Sequence, residues 1–123
     1  MIKILIVDDE SNLLDALKRI LFRKKKDVWD ITFLSSGTQA LEQLQKDKYD
    51  IIVTDYKMPG MNGLELLSQI KDKYKEIKRI LLSGQSDEEI FNKAKEVAHA
   101  YVSKPCNQEE LISAIEECIK GSG

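Results

Sequence analysis

The stretch IIVTDYKMPGMNGLELL, Ile51 to Leu67, holds one complete repeat of the chain's pattern. It opens with an apolar, β-branched run, Ile51 to Thr54, without polar alternation, as strands covered on both faces read. Asp55 closes the run. The loop from Tyr56 to Gly63 holds the turn pairs Pro59-Gly60 and Asn62-Gly63. Both let the backbone fold tightly beside the carboxylate. Helical spacing begins at Leu64 and continues through Leu67 and Ile70. The stretch therefore reads as a strand, a polar strand end, a turn and a helix.

The same unit recurs outward in both directions. Upstream, Ile2 to Val7 ends in Asp8, Asp9 and Glu10, and a stripe of Leu13, Leu14, Leu17, Ile20 and Leu21 follows, capped by Ser11. Ile31 to Leu34 leads through Ser36 and Gly37 to Ala40, Leu41 and Leu44. Downstream, Arg79 to Leu82 ends in Ser83 and Gly84, before Ile90, Phe91, Ala94 and Val97 with Ser86 or Asp87 as cap. Ala100 to Ser103 is followed by Lys104 and Pro105. The last stripe is Leu111, Ile112, Ala114, Ile115, Cys118 and Ile119, capped near Asn107. Five such units predict an α/β fold of (βα)5 type, a five-stranded parallel sheet with five helices on both faces. No linker interrupts the alternation, so residues 1–120 read as a single domain. Residues 121–123 read as a disordered tail or an expression remnant.

Composition excludes several classes. The chain has 123 residues, 42% hydrophobic and 33% charged, enough to bury roughly two-thirds of its unfolded surface without a covalent staple. Nineteen basic against 21 acidic side chains give a net charge of -2, which argues against direct nucleic-acid binding. Lys24 to Lys26 reads as a solvated helix end favoured by the helix dipole. No run approaches the ~20 apolar residues of a membrane span, and MIKILIVDDE carries no cleavage-like site. Cys106 and Cys118 are too few and too close for a disulfide scaffold and read as reduced thiols in a cytoplasmic protein. Cys118 lies on the last helical stripe, as a core residue would.

In parallel sheets, ligands bind beyond the carboxyl ends of the strands. Asp8, Asp9 and Glu10, Asp55, Ser83 and Lys104 all stand there. One acid after a strand is commonly a helix cap. Three aspartates at the same end of neighbouring strands repel one another and call for compensation. A hard, oxygen-seeking cation such as Mg²⁺ supplies it, so Asp8, Asp9 and Asp55 read as a metal site. Gly84 removes a side chain where something must come close, and Lys104 offers a point charge to a phosphate oxygen.

Four motifs, ILIVDDE, IIVTDYKMPGMNGLELL, RILLSGQSD and AYVSKP, stand in this order from Ile4 to Pro105. With them the chain, from Lys3 to about Lys120, resembles the receiver domain of two-component response regulators. The resemblance implies a flavodoxin-like, doubly wound fold and a phosphoacceptor switch. It implies a regulatory domain that only assists its own Mg²⁺-dependent phosphorylation and dephosphorylation. Asp55 would take a phosphoryl group from the phosphohistidine of a histidine kinase or histidine phosphotransfer protein. Asp8, Asp9, Asp55 and the backbone carbonyl of Lys57 would hold Mg²⁺. Ser83 and Lys104 would contact the phosphoryl group. Ser83 and Tyr101 would form the switch that alters the surface of the fourth helix, fifth strand and fifth helix. Homodimerisation on phosphorylation stays open. Departures from the family pattern are Cys106, where a bulky aromatic often follows Lys-Pro, and His99, where a small residue is usual. Gln85 and Lys57 occupy the variable positions flanking the site. His99 reads as a surface or half-buried residue, so the donor histidine belongs to another protein.

Rival readings fit less well. An FMN protein of this fold class needs a Ser/Thr/Gly-rich first loop, and Asp8-Asp9-Glu10 would repel an anion. GxxxxGK[ST] is absent. A phosphatase with an aspartyl nucleophile wants that nucleophile on the first strand with a second acid two residues on. Here the first strand ends in the adjacent pair Asp8-Asp9, and residue 57 is lysine. A non-phosphorylated binding module of the same fold is the remaining alternative. Such modules usually lack part of the Asp55, Ser83 and Lys104 set, which is complete here.

Overall fold

Alternation along each strand determines how the sheet is covered. The computed structural model describes residues 2–9, 29–84, 88–103 and 108–121. The strands are β1 (Ile2–Val7), β2 (Trp29–Leu34), β3 (Ile51–Asp55), β4 (Lys78–Ser83) and β5 (Ala100–Ser103). All neighbours pair in parallel, in the order β2-β1-β3-β4-β5. This is the flavodoxin-like order, whose reversal lies between β1 and β3. The helices are α1 (Gly37–Lys46), α2 (Gly63–Lys73), α3 (Glu88–Val97) and α4 (Gln108–Gly121). Five helices were expected and four are found among the described residues. The expected first helix, Leu13 to Leu21, lies outside them with its cap Ser11 and with Lys24 to Lys26. The expected caps Ser86, Asp87 and Asn107 also lie outside. No helix among the described residues is long and apolar enough to cross a membrane.

Successive strand residues point to opposite faces. Leu5, Val7, Ile52 and Leu81 pack with Ala40 and Leu44 of α1, Leu66, Leu67 and Ile70 of α2, and Ile90 and Ala94 of α3. Ile4, Ile6, Ile51, Val53, Ile80 and Leu82 pack on the other face with Leu111, Ile112, Ile115 and Cys118 of α4. The sheet is thus doubly covered, as the apolar runs predict. The edges correct that expectation: β5 is nowhere fully buried, and in β2 only Trp29 is. An edge strand has a neighbour on one side only. Phe91 is a second correction. Expected on the buried stripe of its helix, it is 40% exposed.

Two local devices start the helices. The Ser36 side chain accepts the Gln39 N–H at the head of α1. At α2, the Asn62 side chain accepts the Glu65 N–H while the Glu65 carboxylate accepts the Asn62 N–H, a reciprocal capping box.

Candidate functional site

Strand register brings the acids together. Val7 stands opposite Thr54, so Asp8 and Asp55 follow side by side at the carboxyl edge. Asp8 is fully buried and Asp55 is 4% exposed, while Asp9 is exposed. A carboxylate oxygen from each of Asp8, Asp9 and Asp55 lies within 4.8 Å of the others. At that separation two ionised carboxylates would repel by roughly 3.5 kcal/mol at an effective dielectric of ~20. A hard divalent cation held between these oxygens would draw them closer and offset their charge. The three carboxylates, all oxygen donors, suit a hard divalent cation.

The backbone around Asp55 is fixed from behind. The Asp8 N–H donates to the Leu34 carbonyl (3.0 Å), the Tyr56 N–H to the Leu82 carbonyl (2.7 Å) and the Gly63 N–H to the Tyr56 carbonyl (2.8 Å). The buried Thr54 hydroxyl donates to the Asp55 carbonyl at 3.1 Å. Gly63 presses against this carbonyl: a Cβ there would stand 2.3 Å from it. Within the loop Gly60 has a positive φ of 77°, so the two glycines serve different needs. One allows the left-handed turn and the other the close approach.

Ser83 ends β4, 1% exposed, next to the strand that carries Asp55. Leu81 pairs with Tyr101 and Ser83 with Ser103, so by alternation Ser83 and Tyr101 share the sheet face that α3 covers. Tyr101 is half-buried. The ring of Phe91, from α3, meets it edge-on, with centroids 5.3 Å apart and planes at 88°. The Lys95 ammonium stands 4.6 Å from the centre of the Phe91 ring. Exposed Lys57 lies two residues beyond Asp55. It lines an open groove of about 430 Å³ between the Tyr56–Asn62 loop and Glu89, Ile90 and Lys93 of α3. Lys104, Gln85, Pro105 and Cys106 lie outside the described residues. His99 is exposed, in keeping with its reading as a surface residue.

Several supporting residues carry fainter signals in the sequence. The Asn62 cap was legible as Asn-x-x-Glu before an apolar run. Gly63 was visible as a turn residue but not as a packing requirement. Nothing in the sequence announced that Phe91 would cover Tyr101.

Residues 4–116 match the family described as Response regulator receiver domain. The uncharacterized transcriptional regulatory protein YesN of Bacillus subtilis is 36% identical over 121 residues, 97% of this chain. The chain spans 33% of that relative's length. Response regulator protein TrrA of Thermotoga maritima, solved in complex with Mg²⁺ and BeF, is 33% identical with a TM-score of 0.83, covering 96% of this chain and 99% of that one. A CheY-like receiver domain protein from Methanospirillum hungatei gives a TM-score of 0.90 at 27% identity, covering 99% and 96%.

Proposed function

The chain belongs to the response regulator receiver domain family, the regulatory module of two-component systems, and on that premise we propose that it is a phosphorylation switch centred on Asp55. The observation that carries this is the cluster of Asp8, Asp9 and Asp55, with oxygens within 4.8 Å at the carboxyl edge of the sheet. Ser83 stands on the adjoining strand.

An Asp55 carboxylate oxygen attacks the phosphorus of a phosphohistidine on a histidine kinase or phosphotransfer protein. The P–N bond breaks, its electron pair returns to the imidazole, and an aspartyl phosphate remains. Asp8, Asp9, Asp55 and the Lys57 carbonyl would hold Mg²⁺, which when bound offsets charge on the transferring phosphoryl group. The Mg²⁺–BeF complex of the Thermotoga relative supports that ligand chemistry. Ser83 donates its hydroxyl to a phosphoryl oxygen, and Lys104 gives its ammonium to another. Ser83 drawn toward the phosphoryl group leaves space on the face it shares with Tyr101. Tyr101 turns inward to fill it, and the α3–β5–α4 surface changes. The phosphoryl group biases this switch only through contacts it makes in one state and not the other. One charge-assisted hydrogen bond, about 1.5–3 kcal/mol, changes a two-state ratio roughly ten- to a hundredfold.

The test is incubation with acetyl phosphate and Mg²⁺ followed by intact mass. Wild type should gain one phosphoryl group. Asp55→Asn should gain none and be no less stable than wild type, because one repelling charge is gone. Undiminished incorporation in the variant, or none in wild type, overturns the proposal. Ser83→Ala should still be phosphorylated but lose the NMR response of Tyr101 to beryllofluoride.

A further inference from the structure

At the edge of the sheet opposite the aspartates, the amino ends of β4 and β5 meet through one imidazole. The His99 backbone N–H donates to the Arg79 carbonyl at 2.7 Å. In return the Arg79 backbone N–H donates to His99 Nδ1 at 3.1 Å. The pair closes like two strand residues, except that a ring nitrogen replaces one carbonyl. Arg79 is 7% exposed. Its Nε donates to the carbonyl of Val97, the last residue of α3, at 2.6 Å, and its Nη1 to the carbonyl of Ile77 at 3.0 Å. Arg79 therefore ties together the end of α3 and the approach to β4 through its buried guanidinium, and the residue that leads into β5 through its backbone.

The bond to Nδ1 requires that this nitrogen carry no proton, because an imidazole nitrogen accepts only when unprotonated. We infer that His99 is a proton-operated clamp on the α3–β4–β5 corner. Neutral, it holds the Arg79 amide. Protonated at Nδ1, it presents a donor to a donor and lets go. The charged groups acting on the ring are the Arg79 guanidinium and the Lys78 ammonium, both on β4 and both positive. α3 presents the Val97 carbonyl to this corner, already taken by Arg79. α2 reaches it through Lys71, whose ammonium donates to the Glu96 carbonyl at 2.6 Å. Partial burial first, and then Arg79 and Lys78, hold His99 below its ordinary value of 6.5. The sign follows. The unfolded chain binds the proton more readily, so the clamp contributes fully above pH ~6.5 and is lost as pH falls through the lower folded value.

The test is an NMR titration of the wild-type protein from pH 8 to pH 5. At pH 8 the ring should carry its proton on Nε2, with Nδ1 bare. The ring should titrate below ~6.5. Hydrogen exchange at the Arg79 amide, corrected for its intrinsic pH dependence, should quicken about two- to tenfold with the same midpoint, the worth of one ordinary hydrogen bond. In His99→Ala, an exposed position where folding should survive, the Arg79 amide should exchange fast throughout with no such midpoint. A proton on Nδ1 at pH 8 overturns the inference. So does a ring midpoint at or above 6.5, or Arg79 protection that ignores pH in wild type or still titrates in the variant.

Discussion

Gly63→Ala should destabilise the protein by about 1–3 kcal/mol, the usual range for forcing a methyl into a filled site, and should disturb Asp55 directly. A Cβ at residue 63 would lie 2.3 Å from the Asp55 carbonyl oxygen, 2.8 Å from Leu81 Cδ1 and 2.9 Å from Tyr56 Cα. Ordinary contacts are about 3.5–4.0 Å between carbons, so the neighbours must yield by roughly 1 Å. The Leu81 methyl can rotate away. The other two atoms are backbone, and Asp55 is held by its pairing with β4. Alanine favours a helix interior over glycine by up to ~1 kcal/mol, but Gly63 is the first residue of α2, where little of that gain applies. Strain therefore wins, and the bond from the Gly63 N–H to the Tyr56 carbonyl should lengthen with it. Urea denaturation followed by circular dichroism gives the stability change, with an unaltered slope expected. Amide NMR during Mg²⁺ titration reads the site and should show weaker binding. A variant as stable as wild type that also binds Mg²⁺ equally would refute the packing argument.

Other consequences follow from the same geometry. Asn62→Ala removes the acceptor for the Glu65 N–H and should cost about 1 kcal/mol, read by thermal or urea unfolding. Asn62→Asp should restore most of it, and an unchanged alanine variant would contradict the cap. Cys118 is buried, and burial pushes its thiol above the ordinary range. In a Cys106→Ser background, alkylation by iodoacetamide should therefore be slow in native protein and rise with urea in step with unfolding. Fast native labelling would contradict the placement of Cys118 under the sheet.

Strand and helix assignments were legible because their signals are local. A strand covered on both faces must be an unbroken apolar run, and Ile4 to Val7, Ile51 to Val53 and Ile80 to Leu82 read so and are so buried. β2 and β5 carried the same signal, yet they lie at the edges and are only half-covered. The apolar run records what a strand can bury and not how many neighbours it has. Phe91 misled for a related reason: helical spacing marks a stripe, but where that stripe leaves the sheet depends on how far α3 reaches over β5.

The order of the described elements, the turn chemistry after Asp55 and the placing of acids at strand ends are local properties, readable along the chain. Those follow from periodicity and from what Pro59-Gly60 and Asn62-Gly63 permit. Packing in three dimensions sets α1, α2 and α3 on one face and α4 on the other. It also brings the Asp8, Asp9 and Asp55 carboxylates within 4.8 Å of one another and makes Arg79, which reads as the start of an apolar strand, a buried cation satisfied by carbonyls, its backbone N–H received by His99 Nδ1. Each of these joins residues far apart in the chain. Strand register and packing, which no local pattern encodes, bring them into contact.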